Sequence, residues 1–246
     1  MELEGNEELL PGWQEATGRD VAALLDPRPT LIVASAGTRK NRGFATILWA
    51  TPISHDPAML VIALRDRSHT MGCIKDSGCF SLNVMPATQQ ALDLAQLCGT
   101  RSGRSVNKVP LVKHHMTTVS YEVTKMHEVM VKKAGLFRKA RYEQVTETQE
   151  CVREVPLVDL ASSWLICAVD HIEETGDHLL VVAKVVSART TAKRNDQGQL
   201  EPFDVLQCVQ HGCFGKVVPL DQEVAAPAKK APAPAPPAPS NPLHQR

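Results

Sequence analysis

Two guanidinium groups and two hydroxyls lie within six residues at Arg65-Asp66-Arg67-Ser68-His69-Thr70. Arg67, Ser68 and Thr70 suit an oxyanion such as phosphate, because guanidinium and hydroxyl groups both donate to its oxygens. The residues that follow predict a helix over 70–75, whose first amides would add N–H donors at the same place. A solvated turn with a serine N-cap is written in the same letters, and the elbow alone does not separate the two. A second stretch, Thr51-Pro52-Ile53-Ser54, leaves a strand at a proline. Proline has no N–H and a set φ, so neighbouring amides are free to face a ligand edge instead of a sheet partner. Trp49, just before it, suits either core packing or shelter for a flat ring. His178 follows the turn signal Gly176-Asp177; it reads as a polar turn residue or as an imidazole that exchanges a proton near neutral pH.

These side chains need strands to hold them. Runs of β-favouring residues between turn signals predict strands over 31–35, 46–50, 58–64 and 79–85. Residues 117–125 alternate like a further strand. Two strongly apolar runs, 163–172 and 178–188, joined by polar 173–177, read as an antiparallel hairpin with glycine in its turn. Helices are expected over 20–25, stopped by Pro27, and over 87–98, where Ala91, Leu94, Ala95 and Cys98 fall at helical spacing before Gly99. Residues 139–153 are too polar to place and read as an insertion or a lid. Many strands with short polar connections and few helices indicate a mainly β fold, with the sheet closed to remove its edges.

The order of the pieces carries more than any one of them. Pro27-Arg28-Pro29, the turn at 41–43, Trp49, Thr51-Pro52-Ile53-Ser54-His55-Asp56-Pro57, the elbow at 65–70 and the strand at 78–84 follow one another. After them come Ser102-Gly103-Arg104-Ser105-Val106-Asn107-Lys108 and Thr175-Gly176-Asp177-His178. In this order they resemble the flavin reductase-like, FMN-binding split-barrel family, which includes flavoredoxins. The resemblance covers about residues 20–220. It departs at Ala58, where a second proline is common, and at Asn107, where aspartate is usual; the latter removes a negative charge beside Lys108.

The resemblance implies an antiparallel, Greek-key-like FMN-binding split β-barrel with a few peripheral helices over 19–222. Arg67, Ser68, Thr70 and Lys108 would hold the FMN phosphate. The ring would lie against Thr46, Leu48, Trp49 and the segment Thr51, Pro52, Ile53 and Ser54. His178 would reach the flavin and is the candidate for catalytic proton transfer. NADH or NADPH would serve as a transient co-substrate, since no G-x-G-x-x-G fingerprint supports a Rossmann domain. Relatives of this kind imply a homodimer with the flavin near the subunit interface. Three activities stay open: an NAD(P)H-dependent flavin reductase, a flavoredoxin-type carrier exchanging electrons with a redox protein, and a flavin- or heme-binding module without turnover.

Composition excludes other classes. The 246 residues are 43% hydrophobic, enough for one sizeable core, and carry 27 basic against 27 acidic side chains. A neutral chain has no long-range field to recruit nucleic acid or anionic lipid. There is no long apolar run, and MELEGNEELL is acidic where a signal peptide is basic; a cytoplasmic protein without membrane attachment is expected. Cys73, Cys79, Cys98, Cys151, Cys167, Cys208 and Cys213 form no C-x-x-C pair, so reduced buried thiols are expected in place of disulfides or a metal site. Cys98 is the one to watch as a redox thiol. The acidic segment 1–18 reads as partly mobile. The Ala/Pro-rich segment 223–246 lacks the large apolar residues needed to offset ordering entropy and reads as a disordered tail.

Overall fold

Closure of the sheet follows from strand order. The computed structural model describes residues 14, 16–38, 41–131, 141–210 and 213–216. Most of the expected N-terminal segment 1–18 and all of the tail 223–246 lie outside these residues. The strands are β1 (Arg28–Pro29), β2 (Leu31–Ala36), β3 (Arg42–Ile47), β4 (Ala50–His55), β5 (Ala58–Leu64), β6 (Cys79–Val84), β7 (His114–Val131), β8 (Arg141–Val158), β9 (Ser163–Thr175), β10 (His178–Thr190), β11 (Gln207–Gln210) and β12 (Cys213–Gly215). The helices are α1 (Arg19–Ala23), α2 (His69–Ser77) and α3 (Gln89–Thr100).

A seven-stranded antiparallel sheet runs β3-β2-β6-β9-β10-β5-β4. Its two outer strands, β3 and β4, are consecutive in the chain and joined only by Leu48 and Trp49. Laid flat, seven strands at about 4.8 Å spacing would put those edges about 29 Å apart, whereas this link reaches about 11 Å. The sheet therefore curls until its edges meet, and because β3 and β4 do not pair, it is a split barrel with an open seam. The expected single strand over 46–50 is thus two strand ends and a junction. Side chains at 46–50 favour β structure on either side of a bend, so pattern alone did not reveal it.

Alternation along β2 assigns its residues to two cores. Leu31 and Val33 face the barrel interior with Leu60, Ile62, Phe80, Leu82, Val181 and, from α2, Met71 and Ile74. Ile32 and Ala34 face outward into a second cluster with Phe44, Ala91, Ala95 and Cys98, which seats α3 on the barrel wall. Strands buried on both faces read as continuous apolar runs, and this is why β2 and β6 were legible. Helix α2 ends at Gly78, whose φ of 70° places it in the left-handed region and whose N–H bonds to Ile74 O at 2.8 Å.

Residues 139–153, unplaced from sequence, belong mostly to β8, which pairs with β7 in continuous register from His114↔Val158 to Val131↔Arg141. Eighteen residues in each strand make a ribbon roughly 60 Å long. Its base packs on the barrel through Val119, Tyr121, Val155 and Leu157, while residues 148–150 and 152–154 are exposed. A strand that faces water on both sides needs no apolar alternation, so its sequence gave no strand signal. The hairpin at 175–178 is as expected: Thr175 pairs with His178 across Gly176 (φ 58°) and Asp177. Helix α3 runs through Gly99 to Thr100, so Gly99 is not its stop. A Cβ at Gly99 would sit 3.3 Å from Thr46 Cβ; close approach of α3 to β3 accounts for the glycine.

Asn83 is fully buried in β6, donates from Nδ2 to Ile32 O and Ser81 Oγ, both at 2.9 Å, and accepts the Val158 N–H at 2.9 Å. It joins the ribbon base to the barrel, and truncating it strands buried partners, each at about 1–3 kcal/mol. Asn83→Ala is expected to lower unfolding free energy by about 2–4 kcal/mol, read as a lower urea midpoint.

Candidate functional site

A cleft of about 690 Å³ opens at the seam, a size suited to a small-molecule ligand. Its walls come from the end of β3, Leu48 and Trp49, the end of β5 with the 65–70 elbow, the end of α3 with residues 101–103, Lys108 and His178. Each wall is held by a specific packing. A Cβ at Gly43 would lie 2.6 Å from Thr70 Cα, so β3 touches the start of α2 backbone to backbone. A Cβ at Gly103 would lie 2.9 Å from the His69 ring, so the 101–103 turn rests directly on that imidazole. The Thr46 hydroxyl donates to Ala95 O at 2.6 Å and fastens α3 to β3.

One end of the cleft is cationic. Arg65, Arg67, Arg101 and Lys108 line it, and among the described residues no carboxylate does. The three arginines form no ion pair among the described residues. Asp66, next to them, is engaged by Lys75 at 2.6 Å, which holds its carboxyl below the usual range. Ser68 is the N-cap of α2, with extended backbone (φ −65°, ψ 135°), yet its side chain makes no capping bond. The hydroxyl and the first-turn N–H groups of α2 thus remain for an anion, with the helix dipole favouring negative charge there.

Elsewhere in the cleft two rings meet, with the Arg28 guanidinium 6.0 Å from the Trp49 ring centroid. The Trp49 ring, 40% exposed, lies 4.7 Å from the His178 ring at 43°. His178 Nδ1 is 2.6 Å from Asp177 Oδ1, and this hydrogen bond lowers the Asp177 pKa. The carboxylate orients the imidazole and leaves Nε2 as its other polar atom.

Of the residues singled out in the sequence, Thr46, Leu48, Trp49, Arg67, Ser68, Thr70, Lys108 and His178 line this one cleft. Two of them are engaged differently from expectation. The Thr46 hydroxyl is held by α3, and Lys108 Nζ donates to Phe44 O at 2.9 Å and Cys98 O at 2.7 Å. An ammonium has three N–H groups, so one remains for the cleft. Thr51, Pro52, Ile53 and Ser54 do not line the cleft; they lie along the edge strand β4, where Thr51, Pro52 and Ile53 are exposed. Pro52 pairs across from Leu60 at the edge, with a register shift before Ser54, so the proline did not end the strand: at an edge its missing N–H is tolerated. Arg65 and Arg101 were not singled out. Their proximity to the elbow and to the 102–108 loop was the available signal.

Comparisons with known proteins agree with this fold. The family model described as flavin reductase like domain matches residues 26–204. No curated protein matches the sequence. Among solved structures, an FMN-binding protein from Thermus thermophilus with bound 1-cyclohex-2-enone superposes with TM-score 0.59 at 18% identity, over 84% of this chain and 96% of that one. A flavoredoxin from Methanosarcina acetivorans gives TM-score 0.59 at 16% identity over 88% and 98%. An NADH:FAD oxidoreductase from Streptomyces globisporus gives 0.56 at 15% over 85% and 100%. At these identities the likeness is one of fold.

Cys98 does not have the environment of a redox thiol. It is 3% exposed, and burial pushes its pKa up to about 11 against the opposing pull of Lys108; thiolate, the reactive form, is scarce at neutral pH. Lys108 is shifted the other way, its ammonium pKa lowered by burial. A raised thiol pKa contributes stability that is complete below the ordinary thiol range near 9 and is lost as pH rises through about 11. Replacing Cys98 with alanine is expected to make the alkaline loss of stability between those values shallower. Urea unfolding of both proteins across that range measures it.

Proposed function

We propose, on the premise that this chain belongs to the flavin reductase-like domain family, that it is an FMN-binding oxidoreductase moving electrons or hydride between NAD(P)H and flavin. The observation that carries this reading is the pairing, in one cleft, of an uncapped helix N-terminus among arginines with an exposed Trp–His wall. A flavin mononucleotide has the same polarity: a phosphate dianion at one end, a flat ring with hydrogen-bonding edges at the other.

Arg67, Ser68, Thr70 and the α2 amides would hold the phosphate, with charge-assisted bonds the strongest of the set. Lys108, fixed by two carbonyls, supplies buried positive charge beside it. Trp49 and Leu48 would cover the ring and exclude water, and His178, oriented by Asp177, would donate to a ring oxygen or pass a proton at Nε2. Flavin, when bound, supplies the redox chemistry, and the protein supplies binding and electrostatic tuning. NADH or NADPH would visit the open side of the cleft and leave after transfer.

The reading includes a homodimer, which an open sheet edge beside the cleft would accommodate. Thr51, Pro52 and Ile53 form an exposed sheet edge beginning two residues after Trp49, and exposed edges are normally covered. A second copy there would bring Thr51-Pro52-Ile53-Ser54 within reach of a ring and complete the site. A cytoplasmic location is part of the same reading; among the described residues no helix is long and apolar enough to cross a membrane.

Purified protein titrated with FMN is expected to develop a shifted visible flavin spectrum and to oxidise NADH or NADPH in its presence. A spectrum without NAD(P)H oxidation would favour an electron carrier, and the absence of flavin binding would refute the proposal. Arg67 is exposed and forms no ion pair among the described residues, so Arg67→Ala is expected to weaken FMN binding about tenfold or more without lowering the thermal midpoint. Fluorescence titration and a melt on the same sample measure the two.

A further inference from the structure

The Pro27-Arg28-Pro29 motif carries a charged side chain that does not line the cleft. Both flanking prolines have a set φ and no N–H, and Arg28 pairs with Cys208 where β1 meets β11, so the backbone beneath the guanidinium is constrained from either side. Only 18% of the Arg28 side chain and 4% of the Asp26 side chain are exposed. A cation and a carboxylate so far removed from water need partners. Arg28 Nε donates to Asp26 Oδ1 at 2.7 Å, and Nη2 donates to Ala22 O in α1 at 2.8 Å.

This anchored guanidinium lies against an aromatic ring. Arg28 Cζ is 6.0 Å from the centroid of the Trp49 ring, at a separation where a cation is still drawn to indole. Trp49 belongs to the short junction between β3 and β4, and its ring is 40% exposed. An exposed indole left free must be ordered when a flat ligand stacks on it, and that ordering weakens binding. His178 meets the ring at 4.7 Å from within the cleft lining, and Arg28 reaches it from outside that lining.

We propose, building on the flavin reading above, that Arg28 is a positioning residue of the site: fastened to Asp26 and to α1, it fixes the Trp49 indole in the orientation that covers the flavin ring. Three simultaneous attachments account for the residue type. A guanidinium donates in a rigid fork, so it binds Asp26 and Ala22 O and still offers delocalised charge to the indole. A lysine ammonium is a point charge, which keeps the ion pair with Asp26 and loses the fork.

A double-mutant cycle on FMN affinity, read by flavin fluorescence titration of the full chain, tests this. Arg28→Lys leaves a cation for the Asp26 carboxylate and is expected to weaken FMN binding about three- to tenfold. In the Trp49→Ala background the same substitution is expected to change nothing further, because the ring it orients is gone. Equal weakening in both backgrounds marks a general structural role and would overturn the proposal, as would unchanged affinity in Arg28→Lys. Asp26→Asn, which keeps an acceptor for Nε, is expected to retain an affinity that Asp26→Ala loses; equal loss in both would overturn the part assigned to Asp26. Thermal melts accompany each titration, and if Arg28→Lys does not fold, Asp26→Ala is carried through the same two backgrounds with the same outcomes expected. Failure of the unaltered chain to bind FMN would overturn the flavin reading itself, whereas normal FMN binding with an additive cycle overturns the role of Arg28 alone.

Discussion

The two-residue junction at Leu48 and Trp49 constrains everything else in this molecule. It ties together strands that the hydrogen-bonding order puts at opposite ends of a seven-stranded sheet, and a link that short forces closure. Because the edges meet without pairing, the barrel keeps a gap with polar backbone on its rim, and such backbone needs partners. Trp49 stands in the gap, its carbonyl bonded by Ala63 N–H at 3.0 Å and its ring against His178. The cleft is thus a direct product of how the barrel closes.

Electrostatics determine which end of that cleft takes charge. Burial costs a lysine ammonium its hydration, and Lys108 recovers part of it from two backbone carbonyls belonging to β3 and α3. The same bonds clamp those elements together, so positive charge and local rigidity come from one side chain. Asp66, the acid within the elbow, is drawn to Lys75, and Arg67 stays available. A buried cation beside arginines that form no ion pair among the described residues, at a helix N-terminus, is a strong field for an anion.

Around this site the protein uses polar residues as fasteners. Asn83 and Ser81 sit within apolar β6 and reach β2 and β8; Ser35 and Ser77 bond to Cys79 O. Such groups specify register, since a slip would leave each of them buried and unsatisfied. Among the described residues this network anchors the ribbon of β7 and β8 at its base, where His114 is bonded to Arg42 at 2.9 Å.

Local chemistry was readable from the chain itself. Apolar runs with turn signals at their ends defined β2, β5, β6, β9 and β10: β2 and β6 are buried on both faces and carry that burial in their composition, while β5, β9 and β10 combine one buried face with β-favouring residues on the other. The elbow at 65–70 and the start of α2 were legible for the same reason: hydroxyls and arginines before an apolar helix are a local arrangement. Closure, by contrast, depends on which strands pair, and pairing between β5 and β10 or β2 and β6 spans connections that no window of sequence sees. Only the tertiary structure could split 46–50 into two edges, turn the polar 139–153 into a ribbon, assign Gly99 to a close contact, bury Cys98 and tie down Lys108. Those outcomes are decided by what lies across the fold from each residue, and a side chain's type does not reveal its distant neighbour.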